Sequence, residues 1–445
     1  MNAPVVTTPA SAFGSSGGWR HGVRYGFMGL PLAFLALPLY VILPNLYATQ
    51  FGVPLAALGA VLLLARLSDA LLDPWIGRWC DQWFEHSHAR VLRAAAIGAV
   101  AMALGFWAVL QPPSHLQQNN EAALLTWLTL CMVALYAAYS VTSVAHQNWG
   151  ARLGGDALER SRIVSWREGF TLVGVLLAAA LPTWLSVDWM LGSFALLLTL
   201  AWWLWRQAPA PEPTQAVGDG GDRRIKTIMN AAPWQATGFR RLLLVYVVNG
   251  TAAAIPATLV LFFVQDRIQA TASQEPAFLV AYFLAAAASM PVWLALVKRF
   301  GIAPTWLAGM CLAVLSFVWA FGLGAGDQTA FLWVCIASGI AAGTDIALPQ
   351  ALLNGLLERL GARGRHEGAY LGWWSLATKL NLALAAGLAL PALAWFGYEP
   401  GTREPHGLQA LSLAYCLLPC ALKLVAAALL YRLVMVSPTA RKDFS

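Results

Sequence analysis

Two carboxylates and a guanidinium share one stretch of an otherwise apolar run, Arg66-Leu67-Ser68-Asp69-Ala70-Leu71-Leu72-Asp73-Pro74. Asp69 and Asp73 are four residues apart, and Arg66 is three before Asp69. A helix therefore stacks all three on one side. At about 1.5 Å per residue back from Arg78, Asp69 lies ~13 Å and Asp73 ~7 Å inside the apolar layer. Paired carboxylates at that depth suit proton uptake. Pro74 offers no N–H to the carbonyl of Ala70, and that freed oxygen suits a small hard cation. The blander alternative is a buried Arg66–Asp69 pair that only locks helices together.

Ionisable groups at mid-membrane depth are costly and usually functional. Lys379 lies ~16 Å from Gly368 along its own run, at a depth like that of Asp69. A lysine there needs an acid, and Asp69 and Asp73 are the obvious partners. Asp345, in Gly343-Thr344-Asp345-Ile346-Ala347-Leu348-Pro349-Gln350, either faces a cavity or pairs with Lys423 or Lys379. Ser143, His146 and Gln147, in Thr142–Trp149, either bind a polyhydroxylated solute or satisfy freed backbone. His146 by itself reads more readily as a satisfied polar residue. Asn249, before Gly250 and Pro256, caps a helix break or faces solute. Most of the 21 tryptophans suit membrane interfaces. Trp166 beside Arg167, and Trp373-Trp374 near Lys379, are the better candidates for stacking on a sugar, and Ser375 is a further candidate for the solute site.

The elements that must hold these residues follow from composition. The 445 residues are 59% hydrophobic and 11% charged. An ordinary soluble chain carries about 25% charged residues, so only an integral membrane protein remains. Six scattered cysteines form no CxxC and no metal-ligand spacing, which excludes a disulfide scaffold and a zinc site. About twelve apolar runs of helix length recur, separated by Pro, Gly or charge. Residues 1–19 lack a positive n-region, so no cleavable signal peptide is expected. With the N-terminus in the cytoplasm, 23 of the 28 Lys and Arg fall on the cytoplasmic side and only Arg267 and Arg403 outside. That asymmetry predicts both termini inside, and it accounts for the +7 net charge without nucleic acid. The Pro- and Gly-rich segment 207–237 reads as a cytoplasmic linker between two six-helix bundles, 1–206 and 238–445. Paired halves of this kind are the major facilitator architecture.

Arg66-x-x-Asp69-Ala70-x-x-Asp73-Pro74-x-x-Gly77-x-x-x-Asp81 resembles the second-helix signature of the glycoside–pentoside–hexuronide:cation symporters. Asp156-x-x-Glu159-Arg160-Ser161-Arg162 with Trp166-Arg167-Glu168 resembles their loop after helix four. Asn249-Gly250 with Ile255-Pro256-Ala257-Thr258 resembles helix seven, and Gly364-Arg365-His366-Glu367-Gly368 with Trp374-Ser375-Leu376-Ala377-Thr378-Lys379 resembles helix eleven. The resemblance runs from about residue 20 to 436. It implies that Asp69 and Asp73 are cation-site acids, Lys379 a coupling lysine and Arg167 a solute-site arginine. Asp81, Glu159, Arg160, Arg162 and Arg365 would then belong to the cytoplasmic gate. The chain departs from the family at Leu72, where a cation-site asparagine stands, and at Ala33, Ser143 and Gln147, where sugar-site residues stand. The class carries over; the particular sugar does not.

The expectation is therefore an all-α, twelve-helix symporter of a sugar or glycoside, driven by H⁺ or Na⁺ and needing no cofactor. It would be a multi-pass monomer in a bacterial inner membrane. The same fold carrying a lipid, drug or organic acid is the alternative. An intramembrane prenyl transferase, suggested by Asp69-x-x-x-Asp73, lacks a second well-placed aspartate pair, and a non-transporting sensor is a further possibility. No HExxH, GxSxG or P-loop points to an enzyme or an ATP-driven pump.

Overall fold

A computed structural model describes residues 18–117, 121–153, 157–181, 186–211, 232–360 and 367–436. Those residues contain helices and no strand. Twelve helices are long and apolar enough to cross a bilayer. They are α1 Gly18–Thr49, α2 Leu55–Phe84, α3 His88–Leu110, α4 Glu121–Ala151, α5 Arg162–Ala180 and α6 Val187–Trp205. The second six are α7 Thr237–Ile268, α8 Glu275–Phe300, α9 Ile302–Gly322, α10 Gln328–Arg359, α11 Tyr370–Trp395 and α12 Pro405–Val436. A helix satisfies its own backbone, which hydrocarbon requires of any spanning segment. Exposed Leu71, Ile97, Leu196 and Ile346 give the outer faces their apolar coat. Exposed tryptophans stand near both ends of the bundle, Trp19 and Trp234 at one, Trp319 and Trp395 at the other.

The packing repeats with a period of six helices. In the first half α1 packs on α5, α2 on α4, and α3 on α4. In the second half α7 packs on α11, α8 on α10, and α9 on α10. Between the halves α2 meets α11 and α5 meets α8, which exchange when the halves are swapped. Of the segment read as a linker, 212–231 lies outside the described residues.

The two ends of the molecule differ. At the end bearing the α2–α3, α4–α5 and α10–α11 connections, the second half has its own core, built on Phe239, Trp306, Leu353 and Leu430. At the opposite end, residues of both halves merge into one core, with Leu39, Leu58 and Leu62 beside Leu259, Phe263 and Leu390. There α2 and α11 are in backbone contact. A Cβ on Gly59 would stand 2.9 Å from both the carbonyl oxygen of Ala386 and Cδ of Pro391. The molecule is sealed at this second end, the loop end, and parted at the first.

Prolines shape the helices that matter most. Pro38 has no N–H for the preceding turn, and α1 widens into a π-turn over Pro38–Ile42. A second π-turn, Leu413–Leu417, precedes Pro419 in α12. A third, Phe263–Ile268, closes α7.

Candidate functional site

The mid-depth charges meet as their spacing predicts. Lys379 of α11 reaches across to α2, its Nζ 2.9 Å from Asp69 Oδ2 and 2.5 Å from Asp73 Oδ2. Asp69 is buried, and its Oδ1 accepts from the Ser140 hydroxyl at 2.6 Å. Lys379 also donates to Ser140 at 3.4 Å, so α2, α4 and α11 share one polar knot. Asp73 Oδ1 is buried and has no hydrogen-bond partner among the described residues. Arg66 does not form the ion pair with Asp69 that the sequence allowed. Its guanidinium lies over Tyr136, 4.3 Å from the ring centroid. An aromatic face offers a desolvated guanidinium an alternative to a carboxylate.

A second ionic centre lies wholly in the second half. Lys423 of α12 pairs with Asp345 of α10 at 2.6 Å. Asp345 Oδ1 also accepts from Asn249 Nδ2 and Trp306 Nε1, both at 2.9 Å. Of the two partners open to Asp345, Lys423 is the one it takes. The group lies in the wall of a cavity of about 400 Å³, which Tyr40 of the α1 π-turn also lines. That volume is within the usual range for small-molecule sites. Tyr246 and Thr378 share a 2.7 Å hydrogen bond in the same wall, and Asn381 lies close by. The Asn381 amide, turned so that its nitrogen donates, reaches the carbonyls of Val247 and Ala377 at 3.2 Å each. It packs so tightly on Gly250 that any Cβ there would overlap it.

The remaining expected residues divide. Asn249 and Asp345 line the cavity. Trp374 is buried and stacks face to face on Tyr246 at 3.9 Å, so one ring face is already covered. Ser375 beside it is exposed. Arg167 pairs with neighbouring Glu168 at 2.6 Å. Arg167 lies against α1, where a Cβ on Gly29 would stand 3.3 Å from its Cγ. Gln147 is exposed and donates to Ser143 at 2.9 Å. His146 is not brought to the site. It is fully buried, bonded to the Tyr25 carbonyl at 2.8 Å and stacked on the Tyr25 ring. Trp166 packs over Gly22 of α1 and stacks on Phe170. Arg162 is exposed at the start of α5. Arg365 lies outside the described residues, as do the side chains of Asp81, Glu159 and Arg160.

Ser140, Tyr40, Thr378 and Asn381 were not among the expected site residues, and Lys423 was expected only as a partner for Asp345. Ser140 and Asn381 carried a usable signal, a polar side chain inside an apolar span. Tyr40 carried a weaker one, its place between Pro38 and Pro44.

The twelve spans are those of a multi-pass membrane protein, and the family match makes it a transporter rather than an enzyme. The chain matches the MFS/sugar transport protein family over residues 24–435 and belongs to it. Solved structures of like fold include the nucleoside transporter NupG, at TM-score 0.68 and 13% identity, covering 92% of this chain and 98% of that one. The D-xylose-proton symporter is similar at TM-score 0.68 and 12% identity, covering 96% and 99%. A bacterial homologue of the human lysosomal transporter Spinster, inward-facing and unoccupied, has TM-score 0.67 and 13% identity, covering 96% and 98%. Such identities speak for the fold alone. A search among curated proteins finds no match.

Proposed function

We propose that this protein is a cation-coupled symporter of a sugar or glycoside, working by alternating access, with Asp69, Asp73 and Lys379 as the coupling centre. One observation carries the reading: a lysine of one half neutralises two acids of the other. A cation arriving at those acids competes with Lys379. Its binding weakens a bond between the halves and so favours a different arrangement of them, which is the differential binding that coupling requires. The proton is favoured over Na⁺. Asp73 Oδ1 is a buried oxygen with nothing bonded to it, whereas Leu72 puts hydrocarbon where a further oxygen ligand would serve Na⁺. With both termini cytoplasmic, the parted end faces inward and Gln147, Ser375 and Thr378 are open to the cytoplasm. The D-xylose-proton symporter among the fold relatives is in keeping with a sugar and a proton.

The test is solute-driven proton movement in vesicles containing the protein, with wild type set against Asp69→Asn. The wild type should alkalinise the medium when solute is added, and the variant should not. Uphill uptake by Asp69→Asn at the wild-type level would overturn the reading.

A further inference from the structure

At the parted end α3 begins and α6 finishes, and the two helices pack on each other. The half-buried Trp202 of α6 donates its indole N–H to the Leu92 carbonyl of α3 at 3.0 Å. One turn on, the Arg206 guanidinium lies over the Trp202 ring, 4.8 Å from its centroid. Arg93 follows Leu92 on α3. One tryptophan therefore ties two arginines of different helices to a single junction. Both arginines are exposed, and neither has an acidic partner among the described residues. A ring under the flat face of a guanidinium leaves its N–H edge open to an anion.

Depth and the surface below the arginines say which anion. Arg93 stands ~8 Å along α3 from its first residue, His88, about where headgroups give way to hydrocarbon. A cation there needs an anion or a route to water. Exposed Ile97, Val100 and Leu104 continue the line of Arg93 at spacings of four, three and four. On α6, exposed Leu196, Leu200 and Trp203 run toward Arg206. The junction is thus cationic at headgroup level and hydrocarbon beneath, the polarity of a phospholipid reversed in charge. Inorganic phosphate would use only the arginines. A zwitterionic headgroup would bring its own ammonium against them.

We infer that the α3–α6 junction is a binding site for one acidic phospholipid, its phosphate held by Arg93 and Arg206 and its chains laid along Ile97, Val100, Leu196 and Leu200. Charge-assisted bonds from two guanidinium forks suit a phosphate. Both helices belong to the first half, so the lipid travels with that half when the halves rearrange. The second half supplies a comparison. Lys298 and Arg299 are also exposed where α8 reaches the parted end, but Arg299 lies over Phe300, the next residue of its own helix. That pair adds positive charge to the surface without joining two helices through a ring.

The test uses the full chain in phosphatidylcholine nanodiscs doped with a phosphatidylglycerol that carries a photoreactive diazirine in one acyl chain. Phosphatidylcholine with the same tail is the control probe. After illumination, labelled peptides are mapped by mass spectrometry. The phosphatidylglycerol label should gather on residues 93–104 of α3 and 196–206 of α6, and the phosphatidylcholine label should spread over all outer faces. Arg93→Gln with Arg206→Gln should lower the acidic label at this junction about tenfold or more, at about fivefold for each arginine. Lys298→Gln with Arg299→Gln removes as much charge and should leave it unchanged. Excess inorganic phosphate in the buffer should not displace the label. If the first double variant fails to fold, the contrast between the two lipids in the wild type decides. Equal labelling of the junction by both lipids, an equal loss in the second-half variant, or displacement by phosphate each overturns the inference. The first two outcomes would leave only a general surface attraction, and the third a site for a soluble anion.

Discussion

Removing Lys379 leaves two carboxylates without their cation at once. Breaking a fully buried pair costs about 3–5 kcal/mol. Asp73 is partly exposed, and either acid can take a proton instead, so Lys379→Ala should cost somewhat less, read as a lowered melting temperature. Asp69→Asn with Lys379→Ala should recover part of that stability, because only the partly exposed Asp73 then keeps an unmatched charge. Concentrative uptake should stay lost in the double variant, leaving facilitated exchange at most. If uphill transport returns with stability, the knot is only a brace. The second centre makes a contrast. Asp345→Ala strands Lys423 and frees both Asn249 and Trp306, so it should be more destabilising than Asp345→Asn, which keeps an oxygen in place. Equal melting temperatures for the two would count against that account. At this scale the sequence reveals the charges well, because a mid-span charge must find a partner and the candidates are few. It reveals uncharged partners poorly. Ser140 could have bonded to its own helix, as Asn381 in part does through Ala377, and only the packing of α2, α4, α7 and α11 brings them to Asp69 and Val247.

The same asymmetry holds for the helices. Span number and approximate limits are legible because the bilayer fixes how long an apolar run must be. Which helices touch is not legible, since lipid-facing and protein-facing sides are both apolar and no amphipathic stripe distinguishes them. The contacts are set by small residues and backbone geometry instead. On α7, Gly250 is the place where the Asn381 amide of α11 seats, with no room for a side chain. Gly250→Val should push α11 away from α7, costing about 1–3 kcal/mol as overpacking does. It should also disturb the wall that Tyr246 and Thr378 share, weakening solute binding. A variant that keeps wild-type stability and binding would show that α11 is free to shift, contrary to the packing described. The π-turns are likewise a product of context. Proline marks where a helix can loosen, but α7 widens over Phe263–Ile268 with no proline within that turn.

At the scale of the molecule, transport requires the sealed end to open. Among the described residues one polar contact joins the halves there besides the shared core. Asn45 at the end of α1 donates to Gln265 of α7 at 2.8 Å, and Gln265 donates in turn to Glu275 of α8 at 3.1 Å. The neighbouring Asp266 organises the second half alone, accepting from the Tyr398 hydroxyl and the Gly401 N–H. Burial, aided by the adjacent carboxylate, pushes the Tyr398 phenol well above its ordinary range, so it remains a donor at any working pH. The Asp266–Tyr398 contact should therefore persist through the cycle, while Asn45–Gln265 must break, because it joins the halves. Asn45→Cys with Gln265→Cys places two thiols at that junction, and a short reducible bis-maleimide should link them and arrest uptake. Cleaving the linker should restore it. Single variants treated alike should keep their activity, since one modified thiol joins nothing. Of the native cysteines, all but Cys311 are buried or half-buried. Solute binding from the parted end should survive the link, as the cavity opens away from it. Full cross-linking with undiminished uptake would mean that the halves do not separate here, and that the passage runs some other way.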